Sequence, residues 1–221
     1  MPSIRKTHAA SWLTLLLLAV NSAVHAAGVS NGDFQTGDFS GWTLDTDATP
    51  GASPDFQIID SAGNYSARIE ADGAGDTVFF ANTLFQSLDL SLPAEHDLIL
   101  RFDWTYAGDA EAPDETFLVG FGDGTGNYYD ANAELGLLFN PQNYGAGTFS
   151  AKLNALANLS GWTLEFQLLA GFDGLSSHVT LDNISLSAVA QPTPVPIPPA
   201  MLLFASGLLG VFGYKKHKTM G

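Results

Sequence analysis

The chain has 221 residues, 23 carboxylates against eight Lys and Arg, and no cysteine, which rules out disulfides, thiol nucleophiles and thiolate metal sites. All of the carboxylates fall between Asp33 and Asp182, where the only cations are Arg68, Arg101 and Lys152; this stretch has a formal charge of −20. Such a surface repels nucleic acid and anionic lipid and attracts divalent cations, so a nucleic-acid partner is excluded.

The first predicted element is a signal peptide, residues 1–26. Arg5 and Lys6 precede an apolar run from Trp12 to Val20, and Val24-His25-Ala26 offers the small or aliphatic side chains that a signal peptidase accepts. The run is too short to span a bilayer permanently, so cleavage after Ala26 and export are expected.

Residues 27–190 are predicted to form one all-β domain, a jelly-roll-like β-sandwich. Period-two alternation carries the assignment. In "NYSARIEA" Tyr65, Ala67, Ile69 and Ala71 share a face. In "HDLILRFDW" Leu98, Leu100, Phe102 and Trp104 oppose Asp97, Arg101 and Asp103. "ETFLVGF" aligns Phe117, Val119 and Phe121, and "GWTLEFQL" aligns Trp162, Leu164, Phe166 and Leu168. One-sided burial of this kind suits antiparallel strands on a shared core. Gly, Asn, Asp and Pro clusters such as "TGDFSG", "ATPGASPD", "GDAEAPDE", "GDGTGN" and "NPQNYGAG" punctuate roughly eight to ten strands. "AKLNALANLSG" (151–161) has room for one or two helical turns at most. In "HVTLDNISLSA" the apolar parity switches from Val179 and Leu181 to Ile184, Leu186 and Ala188. A one-residue phase change means a β-bulge at Asp182-Asn183 or a swap of faces, and a bulge re-aims side chains.

Chemistry-bearing motifs are few, and no catalytic residue is assigned. "GVSNG" (28–32) fits the letters of a nucleophile elbow but lacks its strand–turn–helix context. His96 and His178 do not make a zinc site by themselves. "DTDATPG" (45–51) lacks the ligand spacing of an EF-hand loop, and "GFGDGTG" that of a phosphate loop. Loop 109–115 gathers Asp109, Glu111, Asp114 and Glu115; it suits a solvated hairpin, a calcium loop or the carboxylate pair of a glycoside hydrolase. Tyr106, Tyr128, Tyr129 and Tyr144 fall in turn regions, where rings stack on sugars or pack within loops.

Two motifs resemble known families. "NGDFQTGDFSGWT" (31–43) and "VTLDNISL" (179–186) are similar to the opening and closing segments of carbohydrate-binding, galactose-binding-like jelly-roll modules. In those modules the first and last strands lie close together, and a structural calcium often sits at their junction. The resemblance therefore implies a metal site that includes Asp33 and Asp182, with Gln35 standing where the family often has Glu.

The C-terminal region resembles the PEP-CTERM sorting signal of exported Gram-negative bacterial proteins. A Pro-rich linker and box (191–199) holds Val195, Pro196, Ile197 and Pro198. A short apolar segment and the basic residues Lys215, Lys216 and Lys218 (200–221) follow it. Ile197 takes the place of the family's Glu. The resemblance implies an exosortase as processing partner. Ala200 to Tyr214 spans about 22 Å as a helix, at ~1.5 Å per residue, short for a hydrocarbon core of about 30 Å. The expectation is a transmembrane helix that anchors transiently in the inner membrane, with the basic tail held in the cytoplasm. Release to the cell surface or the exterior follows, and retention as a plain anchor is the alternative. The function expected from these parts is that of a non-catalytic surface or extracellular-matrix (biofilm) protein binding exopolysaccharide. The alternative is a secreted glycan hydrolase using the 109–115 carboxylates.

Overall fold

In a computed structural model, residues 28–46, 54–71, 81–169, 175–192 and the single positions 171 and 204 are described. The leader (1–26) and the sorting-signal residues Val195, Pro196, Ile197, Pro198, Lys215, Lys216 and Lys218 lie outside them. Among the described residues, no helix is long and apolar enough to cross a membrane.

Among the described residues ten strands form: β1 (Thr43–Asp45), β2 (Phe56–Ser61), β3 (Asn64–Ala71), β4 (Ala81–Ser87), β5 (His96–Gly108), β6 (Thr116–Gly122), β7 (Tyr128–Tyr129), β8 (Gly145–Lys152), β9 (Thr163–Leu169) and β10 (Ser177–Ala190). They build two antiparallel five-stranded sheets, ordered β1-β4-β9-β6-β7 and β2-β3-β10-β5-β8. Residues 154–158 make turns between β8 and β9, within the short allowance the sequence gives.

The alternation decides which face of each strand is buried. Leu98, Leu100 and Phe102 of β5 meet Leu164, Phe166 and Leu168 of β9, all at 0 % exposure. Phe102 sits at the centre of the aromatic packing, 5.1 Å edge-on from Phe166 and 4.9 Å stacked on Phe149. The opening motif closes one end of this core. Phe34 and Trp42 are buried against each other at 5.7 Å, and the Trp42 indole N–H donates to Asn31 O. Gln86, a buried polar residue of β4, clamps the same segment: its Oε1 accepts from Ser30 N and its Nε2 donates to Ser30 O and Gly41 O. A buried amide must find such partners, and here the partners are the backbone of the incoming chain.

The parity switch in β10 is a bulge. Asp182 pairs with Asp103 and Ser185 with Arg101, so Asn183 and Ile184 together oppose Phe102. Asn183 takes a left-handed backbone (φ 52), which absorbs the extra residue. Val179 and Leu181 therefore stay on the core before the bulge, and Ile184 and Leu186 after it. The segment Gly145–Gly147, expected as part of a turn, is strand. Its glycines lie alongside the Trp104 indole, where the broad ring rather than their own side chains covers the edge of the sheet.

Candidate functional site

The outer faces of the two sheets differ in chemistry. On the second sheet the pairing aligns Gln57, Arg68, Thr180 and Thr105 in one row, and Ser185, Arg101 and Ser150 in another. Lys152 lies on the same face, opposite Ile99. All three cations of the acidic stretch thus lie on this surface, among hydroxyls and carboxylates. Two of them are paired: Lys152 Nζ stands 2.7 Å from Asp97 Oδ1, and Arg68 stands 3.9 Å from Glu70.

The first sheet presents aromatic and polar groups without a cation. Leu84 of β4, Phe166 of β9 and Val119 of β6 point into the core, so their neighbours face away. Register then sets Phe85, Glu165 and Gly120 in one row; Ser87, Thr163, Gly122 and Tyr128 in the next; and Thr83, Gln167 and Leu118 on the other side. Two glycines let the larger side chains lie down on the sheet. A Cβ on Gly120 would stand 2.5 Å from Tyr128 Cδ1, and one on Gly122 would stand 2.1 Å from Glu165 Oε1. The Tyr128 ring accordingly covers Gly120 and its hydroxyl donates to Glu165 Oε2 at 2.9 Å. Thr163 Oγ1 donates to the other oxygen at 2.6 Å, and Gln167 Nε2 donates to Thr83 Oγ1 at 3.0 Å. Burial first, and then the neighbouring carboxylate, push the Tyr128 hydroxyl above its ordinary range. It therefore remains a donor at every physiological pH. The result is a carboxylate fixed in orientation between two half-buried rings, Phe85 and Tyr128.

Of this face the sequence singles out Tyr128 alone. Thr163, Glu165 and Gln167 read as the ordinary solvent side of one strand, and Phe85 stands on a strand the alternation did not single out. The signal that was present is the glycine pair in "VGFG", small residues at successive outward positions of a strand.

The tyrosines expected in turns divide. Tyr106 is buried within β5 and donates to Glu115 O. Tyr144 packs edge-on against it at 4.9 Å and shares a 2.6 Å hydrogen bond with Ser177 Oγ. Tyr129 donates to Asp123 and meets Trp162 edge-on. Tyr128 alone of the four belongs to the outer face of the first sheet.

Of the loop carboxylates, Glu115 is turned inward at 6 % exposure, its Oε2 accepting from Ser177 Oγ at 2.6 Å. Glu111 and Asp114 are exposed. A polar cleft of about 220 Å³ runs past Asp114, Glu115, Asn140 and Gln142. His178, half-buried on the second sheet, is held below its usual range by burial and then by Arg68. His96 Nδ1 lies 2.8 Å from Ala94 O. Asp33 and Asp182 belong to one polar cluster at the bulge, joined through Gln35 and Asn64. Among the described residues, no three His, Cys, Asp or Glu side chains gather into a metal-holding group.

No family model and no curated protein matches the chain. Among solved structures, the module TmCBM61 in complex with beta-1,4-galactotriose is 16% identical, with 71% of this chain and 94% of that one covered, at a TM-score of 0.44. TmCBM27, described for specific mannan recognition, is 14% identical over 72% of this chain and 95% of that one, at 0.42. The enzymatically active domain of bacteriophage CBA120 tailspike protein 4 is 14% identical and scores 0.45; 73% of this chain but only 21% of that one is covered. The present chain thus spans about a fifth of the tailspike domain. At these values the likeness carries no residue across.

Proposed function

We propose that the β-sandwich is a non-catalytic glycan-binding module of an exported surface or extracellular-matrix protein. The observation that carries this reading is the outer face of the first sheet: Phe85 and Tyr128 flank an oriented Glu165, with Gln167 and Thr163 beside them. A sugar ring has an apolar C–H face and a hydroxyl rim. Such a ligand suits a broad surface that offers aromatic area together with a few placed polar groups. Glu165, its two oxygens already bonded on one side, has lone pairs left to accept sugar hydroxyls. The face carries no Lys or Arg on its strands to attract uronates or phosphates, which favours uncharged stretches of polysaccharide.

The ends of the chain support the setting. The leader pattern of residues 1–26 directs export. The Val195-Pro196-Ile197-Pro198 box, the apolar segment and the basic Lys215, Lys216 and Lys218 suit removal by an exosortase-type enzyme after transient residence in the inner membrane. The polymer encountered on that route is exopolysaccharide at the cell surface. Affinity electrophoresis of the full chain through gels holding neutral or acidic polysaccharides tests the binding. Retardation by a neutral polymer is expected, and free migration in every gel removes the reading.

A second reading, glycan hydrolysis, rests on the cleft beside Asp114 and Glu115. Its volume, about 220 Å³, is below the roughly 300–1,000 Å³ usual for ligand pockets, and the Glu115 side chain is bonded inward to Ser177. Release of reducing ends from any polysaccharide, lost in Glu111→Gln and Asp114→Asn, would establish it over the first.

A further inference from the structure

The junction of the opening segment with β10 is where the motif resemblance implies calcium. Asp33 and Asp182 both reach that cluster, but carboxamides fill it. Gln35 Nε2 stands 2.9 Å from Asp33 O, 3.3 Å from Asn64 Oδ1 and 3.3 Å from Tyr65 O. Three oxygens from two segments of the chain, the opening motif and the start of β3, converge on one point, which is how a hard cation is held. Here the point is an amide nitrogen, which carries two protons to share among them.

The amide orientations support one another. Asn64 Nδ2 donates to Asp182 Oδ2 at 3.0 Å, which turns Asn64 Oδ1 toward Gln35. Reversing either amide would set oxygen against oxygen. Asp182 Oδ1 accepts from the Asn183 N–H at 2.7 Å, and Asn183 Nδ2 donates to Asp103 Oδ2 at 2.9 Å. Asp33 Oδ1 accepts from the Gln35 N–H. Every carboxylate of the cluster therefore already has an amide donor. Local backbone chemistry sets these donors in place. Ala62 and Gly63, both at positive φ, form the two-residue turn that delivers Asn64 at the start of β3. The bulge delivers Asp182 and Asn183. Calcium takes six to eight oxygens at about 2.3–2.6 Å, and an NH₂ group at the convergence point cannot be one of them.

We infer that Gln35, Asn64 and Asn183 take the place of a cation at this junction, with Gln35 as the residue that excludes calcium. The sandwich then holds its first and last segments together through neutral donors. It does so equally well with and without free calcium, although the surface is strongly acidic.

The test is thermal melting of the full chain in excess EDTA and in excess calcium chloride, for the wild type and for Gln35→Glu. The wild type is expected to melt at one temperature in both. The variant sets a carboxylate among the same oxygens, so it should melt lower in EDTA. Calcium at roughly 100 times its Kd should raise the variant by about 5–10 °C. A variant that refolds only when calcium is added reads the same way. A variant indifferent to calcium overturns the claim that these oxygens form a cation-shaped cage. Calorimetric titration of the wild type with calcium chloride is the second measurement, independent of any variant's folding. Absence of saturable heat is expected; binding that disappears in Asp182→Asn, or a wild-type melt several degrees lower in EDTA, overturns the inference.

Discussion

Replacing Gly120 by Ala tests how the outer face of the first sheet is assembled. The glycine is not in the left-handed region, so Ala meets no backbone strain; its cost arises only from what the new methyl touches. The three nearest atoms all belong to Tyr128: Cδ1 at 2.5 Å, Cγ at 3.0 Å and Cβ at 3.1 Å. Carbon atoms rest about 3.5–4.0 Å apart, so the ring must retreat by about 1 Å. That withdraws its hydroxyl from Glu165, now at 2.9 Å. Overpacking of this kind costs about 1–3 kcal/mol, and for a domain of this size about 2 kcal/mol lowers the melting midpoint by roughly 4–8 °C. The same substitution in a Tyr128→Ala background meets only the retained Cβ at 3.1 Å, which a shift of a few tenths of an ångström relieves. It should be neutral, or slightly stabilising through the smaller entropy of the unfolded chain. A double-mutant cycle read by thermal or urea unfolding should therefore return a coupling of about 2 kcal/mol between the two positions. An equal cost of Gly120→Ala in both backgrounds would show that the ring does not lie on the glycine, and the description of the face would fail with it.

Ser177→Ala should destabilise by about 1–3 kcal/mol, read by urea unfolding, because the fully buried hydroxyl is the donor to Glu115 and the partner of Tyr144. Asp97 is held down to about 2, first by Lys152 and then by Asn154 and Gln191. A depressed carboxylate contributes stability above its unfolded value, and that contribution is lost as pH falls through the folded one. Melting followed between about pH 4 and pH 2 should therefore show a shallower acid dependence in Asp97→Asn than in the wild type. Intact mass of the protein recovered from the cell surface should lack Met201–Gly221, and deletion of 215–218 should prevent that loss; a surface species retaining the segment means a kept anchor.

The fold was legible where parity was uninterrupted. The even-numbered run of β5 predicted its buried face, and the parity switch at Asp182-Asn183 could be met only by an extra residue or a change of face, since side chains alternate strictly along a strand. Tyr106 continues the even run of Leu98 to Trp104, yet the acidic Gly-rich loop that follows drew it into a turn on reading; β5 in fact persists to Gly108. The acidity has a local origin as well. Much of it is turn chemistry: Asp38, Asp60, Asp89, Asp123 and Asp130 each accept a backbone N–H from two or three residues onward. Hydrogen bonds from those turns hold Asp38, Asp123 and Asp130 below the usual carboxylate range. The outer face of the first sheet was not legible, because Phe85, Glu165 and Tyr128 lie on three strands far apart in the chain. Only the cross-strand register brings them together, and no local pattern states it.

The measurement that bears most directly on the proposed function is affinity electrophoresis of paired surface variants against a polysaccharide that retards the wild type. Phe85→Ala and Glu165→Gln alter the outer face of the first sheet, while Arg101→Ala and Thr105→Ala alter that of the second. Loss of one aromatic or hydrogen-bonding contact worth about 1.4 kcal/mol weakens binding about tenfold. The account predicts that loss for the first pair, with wild-type retardation for the second. Full retardation in Phe85→Ala and Glu165→Gln, or loss confined to Arg101→Ala and Thr105→Ala, would contradict it.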